Sequence, residues 1–262
     1  MSTQYVEIVG ERGRIGKSTI ANRLRDHFEA NGVRVRVVRV EGRKAAPPVR
    51  MGDVRVYVDD ANEELVGGPA ALFDPVWQAI MEMKASEGGA VIVDFMAGAE
   101  ALRGKIHASS SLAKLLADHD VLATSLCVTT RDATVMKQAL DTVKATKTIA
   151  PSFRRVLAKS ELSGRFTPFP SASEQASLDE QLRAEKDVIE LKFPLIQGMA
   201  WQLLEPTQSE MRVVLESSAH DLSAMCKCSE LIAQACQNWV AAWWTATEEQ
   251  LNLVWPFPAT TP

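Results

Sequence analysis

Short apolar runs alternate with amphipathic segments along the chain as far as residue 195. Seven of these runs have the length and the branched or alternating side chains of β-strands. They are Tyr5–Val9, Val33–Val40, Val54–Val58, Ala90–Asp94, Val121–Thr129, Arg154–Ala158 and Val188–Leu191. Between them lie segments with helical periodicity, such as the one in which Ile20, Leu24 and Phe28 share a face. The alternation predicts an α/β fold over residues 1–195, with a doubly wound, mostly parallel sheet flanked by helices.

Beyond Pro194 the pattern becomes helical. The predicted helices are 198–204, 209–217 and a long one, Leu222–Leu253, which carries an aromatic stripe that is typical of core or dimer packing. We therefore expect residues 196–262 to form a helical C-terminal region packed on the same domain. This region has no Lys or Arg after Lys227, whereas a membrane-surface helix is usually basic, so we expect no membrane anchor.

The composition is that of an ordinary globular protein. Apolar residues make up 46% of the chain, charged residues make up 24%, and the net charge is -4. No signal peptide opens the sequence, and no apolar run is long enough to span a bilayer. The four cysteines do not have the spacing of a disulfide framework or a zinc site. These features favour a cytoplasmic protein.

One stretch near the start of the chain combines a strand, a glycine-bearing loop and the beginning of a helix. The strand Tyr5–Val9 breaks at Gly10, and a helix begins near Lys17. Glycines let the backbone turn its N–H groups towards an anion, and the helix N-terminus adds partial positive charge. The layout predicts a phosphate-binding loop, with an ordinary glycine-rich turn as the alternative. The residues predicted to bind the nucleotide are Gly13, Arg14, Ile15, Gly16, Lys17, Ser18 and Thr19.

Two side chains of this loop and one distant acid carry the predicted chemistry. Lys17 is expected to reach the β- and γ-phosphates as a catalytic residue, and the Ser18 hydroxyl is expected to bind Mg²⁺. The fully apolar run Ala90–Val93 ends in Asp94, as a Walker B strand does. Because the carboxyl ends of parallel strands meet at one edge of a sheet, Asp94 is expected beside Ser18 as the second metal residue.

The loop resembles the deviant Walker A motif, K-G-G-x-G-K-[ST], of the ParA/MinD family of P-loop ATPases. The matching stretch reads RGRIGKS, with Arg12 at the position of the family's signature lysine and Arg14 at that of a glycine. A second stretch, DFMAG from Asp94 to Gly98, is similar to the family's D-x-P-A-G motif, with Met96 at the proline. The likeness extends over residues 5–195.

The resemblance implies roles for two further residues. In the family the signature lysine reaches the partner's phosphates across a nucleotide-sandwich dimer, and Arg12 would do so as an arginine finger. The family's second strand ends in Asp-x-Asp, and by register Arg39 and Glu41 fall at these two positions. Glu41 is therefore a candidate for orienting the attacking water, and an exposed Glu at a strand end is the alternative.

The resemblance implies a slow ATPase with ATP and Mg²⁺ as cofactors and a nucleotide-dependent homodimer. Family members of this kind act in plasmid or chromosome partition, in positioning or in conjugation. One alternative is a degenerate nucleotide-binding module that acts as a protein or DNA partner without turnover. Another is a small-molecule kinase or ligase on the same loop, although no substrate-specific motif follows Asp94. The residues do not decide between ATP and GTP.

Basic residues cluster in the segment from residue 34 to residue 55. They are Arg34, Arg36, Arg39, Arg43, Lys44, Arg50 and Arg55. A run of this kind indicates either a solvated face or a patch that attracts nonspecific DNA or a protein adaptor.

Overall fold

Seven strands form one sheet in the computed structural model, which describes residues 2–41, 53–57, 68–166, 168–196 and 211–257. The strands are Gln4–Val9 (β1), Val35–Glu41 (β2), Val54–Tyr57 (β3), Ala90–Phe95 (β4), Leu122–Thr129 (β5), Arg154–Ser160 (β6) and Val188–Phe193 (β7). Their order across the sheet is β3-β2-β4-β1-β5-β6-β7, and every pairing is parallel. The predicted doubly wound α/β fold is confirmed.

Helices cover both faces of this sheet. They are Lys17–Ala30 (α1), Pro69–Leu72 (α2), Asp74–Ala85 (α3), Glu100–Ser110 (α4), Leu112–Asp118 (α5), Ala133–Ile149 (α6), Glu174–Ala184 (α7), Met211–Glu216 (α8), Ala219–Cys226 (α9) and Glu230–Asn252 (α10). One buried apolar cluster joins the sheet to α1 and to α8, α9 and α10. A second cluster joins the opposite face to the helices from α2 to α7. The helical C-terminal region therefore shares its core with α1.

The helices of the structure differ from those expected from the sequence in two places. The single long helix Leu222–Leu253 is wrong, because the chain turns between α9 and α10. Lys227 adopts a left-handed conformation with φ 52°, and the Ser229 side chain caps α10 by accepting a hydrogen bond from the amide of Ile232. The helix α4 was not expected at all. The expected helix 198–204 lies outside the described residues.

Buried polar contacts connect α1 to α10. Arg23 is fully buried, donates from Nε to Thr247 Oγ1 at 2.8 Å and pairs with the carboxylate of Glu248. His27, also buried, has Nδ1 2.8 Å from Oε1 of the same carboxylate. Burial alone would raise the pKa of Glu248, but the hydrogen bonds from His27 and Arg23 lower it to about 2. The helix that follows the predicted phosphate-binding loop is thus fixed to α10.

The basic cluster is only partly described. Outside the described residues lie Arg43, Lys44 and Arg50. Three of the described arginines pair with carboxylates of the chain itself: Arg36 with Glu82, Arg39 with Asp94 and Arg55 with Glu41. Because their charges are neutralised locally, these three arginines add nothing to the DNA interpretation.

Two further observations bear on the chain's environment. Within the described ranges, no helix combines the length and the apolar character needed to cross a membrane. The cysteines Cys127, Cys226, Cys228 and Cys236 all lie in these ranges and are free thiols.

Candidate nucleotide-binding site

The loop between β1 and α1 follows a path that requires glycine at its end. Gly16, the residue before α1, has φ 98°, in the left-handed region that side chains rarely adopt. A Cβ atom there would lie 2.8 Å from Leu162 Cδ1 and 3.0 Å from Ser160 Oγ. The side chains of Ser160, at the end of β6, and of Leu162, just after it, occupy the space that a side chain at this position would need.

Arg14 also lies in the left-handed region, with φ 60°. For a residue with a Cβ atom this conformation costs about 1–2 kcal/mol, which a glycine would avoid. The Arg14 side chain is exposed and forms part of the cleft wall. An arginine at position 14 is therefore compatible with the loop, at the cost of some backbone strain.

Lys17 is held on the inner side of the loop. It is buried, and its ammonium donates to the carbonyl oxygens of Gly10 at 2.5 Å and of Arg12 at 2.7 Å. Burial lowers the pKa of Lys17, while the carboxylates of Asp94 and Glu100 oppose that shift. The ammonium is thus prepositioned at the start of α1, where the helix N-terminus also favours an anion.

Ser18 and Asp94 meet at the carboxyl edge of the sheet. Ser18 Oγ donates to Asp94 Oδ2 at 2.8 Å, and Asp94 is completely buried at the end of β4. Among the described residues, Asp94 Oδ1 is a buried oxygen without a hydrogen-bond partner. A hydroxyl beside a carboxylate with one unpartnered oxygen is a donor set that fits Mg²⁺.

A guanidinium of the protein itself also contacts Asp94. Arg39 Nη1 donates to the same oxygen, Asp94 Oδ2, at 2.9 Å. In the pairing of β2 with β4, Arg39 is the direct partner of Asp94, so the two side chains project from the same face of the sheet. Burial raises the pKa of Asp94, and Arg39 and Ser18 oppose that shift.

The other two predicted catalytic residues lie at the edges of the site. Arg12 has a half-exposed side chain with Nη1 3.6 Å from Asp132 Oδ1. Glu41 is buried at the end of β2, 3.7 Å from Arg55, and does not line the cleft beside Lys17. Burial raises the pKa of Glu41. A catalytic role for either residue stays a prediction.

A buried series of charged residues contacts the start of the loop at Gly10. The sequence did not lead us to expect it. The amide of Gly10 donates to Glu100 Oε1 at 2.8 Å, and Glu100 lies 3.9 Å from Arg103. Arg103 in turn pairs with Glu7 at 2.6 Å. The signal was a glutamate inside the apolar strand β1, which requires a buried partner.

The loop opens into a cleft of about 940 Å³, a size that suits a nucleoside triphosphate. Its walls are residues 13–19, the pair Met96 and Ala97, and the apolar side chains of Leu162, Leu195 and Ile196. Lys159, at the end of β6, is buried and pairs at 2.7 Å with both Asp179 and Glu190. Its ammonium is therefore committed to these acids.

Replacing Gly16 with alanine is expected to weaken nucleotide binding and to reduce the free energy of unfolding by about 1–3 kcal/mol. The added Cβ would force a left-handed residue against Leu162 and Ser160. Gly104→Ala is the matched control, since Gly104 lies inside α4 with open space around it. That variant should gain about 0.5–1 kcal/mol. Chemical denaturation measures both, and equal stabilities of the two variants would contradict the loop geometry.

Comparisons with known proteins give similarity in outline only. The sequence matches no protein-family model and no curated protein. Among solved structures, the MinD cell division protein of Aquifex aeolicus is similar over 92% of this chain and 96% of its own, with a TM-score of 0.43 and 13% identity. Chloroplast FtsY of Physcomitrella patens is similar over 76% of this chain, with a TM-score of 0.44 and 16% identity. FtsY of Mycoplasma mycoides is similar over 72%, with a TM-score of 0.42 and 12% identity.

The chain spans 60% of the length of each of these two FtsY chains. Similarity at this level of identity carries no information about activity. Any function must therefore follow from the residues of the cleft.

Proposed function

We propose that the protein binds ATP in the cleft above the β1–α1 loop and hydrolyses it slowly, as a ParA/MinD-like ATPase that dimerises around nucleotide. One observation carries the proposal. The Lys17 ammonium lies at the same end of a glycine-containing loop as Ser18, whose Oγ donates to Asp94 Oδ2 at 2.8 Å. A phosphate-binding site needs this combination of a cation, a hydroxyl and an acid.

The residues divide the work of binding between them. Lys17 would contribute its charge to the terminal phosphates, and the backbone N–H groups at the start of α1 would donate to their oxygens. The apolar side chains of Leu162, Leu195 and Ile196 would contact the nucleoside. Apolar contacts do not distinguish adenine from guanine, so ATP is the proposed ligand on the family resemblance alone.

Ser18 and Asp94 are the residues that would hold Mg²⁺. When bound, the ion would supply charge neutralisation to the phosphate oxygens. Asp94 holds Ser18 Oγ in place by accepting a hydrogen bond from its hydroxyl, so the hydroxyl oxygen keeps its lone pairs for a cation. The buried setting of Asp94 strengthens each of these electrostatic contacts.

A nucleotide-binding module without turnover is the second candidate, and the position of Glu41 favours it. Among the described residues, those that line the cleft include no carboxylate, and Glu41 is engaged with Arg55. Without a group to orient water, a bound triphosphate would persist. In this case the protein would act through its nucleotide-bound form as a partner for a protein or for DNA.

A titration of nucleotide followed by light scattering tests binding and self-association together. Release of labelled phosphate from γ-labelled ATP then separates the ATPase from the module without turnover. The proposed ATPase should show saturable binding, a rise in scattering and slow phosphate release. Binding without release favours the module, and an absence of binding to ATP and GTP rejects both.

The variant Arg12→Ala should bind ATP as the wild type does but should lose nucleotide-dependent dimerisation. Among the described residues, the half-exposed Arg12 side chain has one ion-pair partner, Asp132 at 3.6 Å, so its removal should leave the fold intact. Sedimentation with and without ATP measures the effect. Arg183→Ala, which removes an exposed arginine on α7, is the control, and unchanged dimers in the Arg12 variant would reject the finger role.

A further inference from the structure

Arg39 lies beside Asp94, the acid that a bound metal ion would also contact. Its guanidinium lies 2.9 Å from Asp94 Oδ2, the oxygen to which Ser18 also donates. The Asp94 carboxylate, completely buried, therefore already has a full positive charge beside it. A cation at this place compensates the acid without any divalent ion.

The Arg39 side chain is held in this place by more than its contact with Asp94. Its second terminal nitrogen, Nη2, donates to Asn22 Oδ1 on α1 at 2.9 Å, and its Nε lies 3.7 Å from Asp53 Oδ2. The side chain is only 13% exposed. A planar guanidinium with partners on three sides is fixed in orientation, so it is a built component of the site.

The position of Arg39 affects how strongly nucleotide binding depends on Mg²⁺. A divalent ion between Ser18 and Asp94 would lie close to a fixed guanidinium, and the two cations would repel each other. Without Arg39, an uncompensated Asp94 would repel the phosphates of a nucleotide unless a metal ion lay between them.

We propose that Arg39 is a specificity-determining residue that supplies the positive charge at Asp94, so that nucleotide binding here depends little on Mg²⁺. The inference rests on the proposed nucleotide site and concerns its cofactor requirement. Any Mg²⁺ bound at Ser18 and Asp94 is then held weakly, because Arg39 has neutralised the acid that would attract it.

The test is the affinity of the fluorescent analogue mant-ATP in excess EDTA and in millimolar MgCl₂. For the wild type, the dissociation constant should differ by less than about threefold between the two conditions. For Arg39→Ala it should rise by about tenfold or more in EDTA and recover in MgCl₂, because the metal ion then replaces the lost charge. Binding is read directly, without reference to hydrolysis.

Two further variants serve as a fallback for an unstable Arg39→Ala protein and as a matched control. Arg39→Lys keeps a positive charge beside the buried acid and should remain insensitive to EDTA, even if Arg39→Ala is too unstable to purify. Arg36→Ala is the matched control on the same strand, because Arg36 pairs with the exposed Glu82 at 3.5 Å. It should behave as the wild type does.

The outcomes separate the two proposals. A wild type that binds mant-ATP in MgCl₂ but loses about tenfold or more of its affinity in EDTA overturns the role of Arg39 and leaves the nucleotide site standing. Equal metal dependence of the wild type and Arg39→Ala does the same. Failure of the wild type to bind in either condition overturns the proposed function and this inference with it.

Discussion

Replacing Lys17 with alanine should reduce the affinity for nucleotide by about 100-fold or more. A hydrogen bond to a charged group contributes about 1.5–3 kcal/mol, and the ammonium is expected to reach two phosphates. The variant also frees the carbonyl oxygens of Gly10 and Arg12, which Lys17 holds at 2.5 and 2.7 Å. Isothermal titration calorimetry with ATP measures the loss.

Lys84→Ala is the control for this experiment. Lys84 is exposed on α3 and, like Lys17, donates to a backbone carbonyl, that of His119 at 2.6 Å. Its removal should leave the affinity unchanged. Normal binding by a folded Lys17→Ala protein would remove the loop from the case for a nucleotide site.

Replacing Glu7 with glutamine should destabilise the fold by about 3–5 kcal/mol, the usual cost of breaking a buried ion pair. Glu7 lies in the middle of β1 without solvent contact, and its carboxylate pairs with Arg103 at 2.6 Å and with His107 at 3.1 Å. The amide would remove the nearer carboxylate from the buried guanidinium and leave it the more distant one of Glu100, at 3.9 Å. Urea denaturation measures the effect. Glu82→Gln, on an exposed pair, should change the stability by less than about 1 kcal/mol.

The same residue has a pH signature. Burial alone would raise the pKa of Glu7, but Arg103 and His107 lower it from 4.5 to about 2. Because the folded-state pKa lies below that of the unfolded chain, the contribution to stability is complete above pH 4.5 and is lost as the pH falls towards 2. Wild-type stability should therefore fall more steeply than that of Glu7→Gln between these limits. Parallel curves would show that Glu7 is not ionised in the folded protein.

The sheet could be predicted from the sequence because its strands are short, apolar and separated by helical periodicity. A strand such as β4, with four apolar residues in succession, is buried on both faces, and a parallel sheet needs that pattern. The helix α4 was missed for a related reason. Its buried face carries Arg103 and His107 beside Leu102 and Ile106, so charged residues interrupt the apolar repeat.

The candidate site was predictable where a motif places its residues within one short stretch or at the end of a strand. Lys17 and Ser18 follow from the loop, and Asp94 follows from the rule that parallel strands end at one edge. The contact of Arg39 with Asp94 was not predictable. It depends on β2 lying directly beside β4, and strand order is a property of the whole sheet. The same holds for Glu100, whose bond to Gly10 joins residues 90 positions apart.

The buried polar contacts between α1 and α10 have a practical consequence for handling the protein. Arg23 sits in the middle of the helix that begins at Lys17, and its counter-ion, Glu248, is supplied by the far end of the chain. Removing the chain from that acid onwards would leave the buried guanidinium of Arg23 without the Glu248 carboxylate. Fragments and affinity tags are therefore best designed to keep the whole of α10 in place, even when only the nucleotide chemistry is of interest.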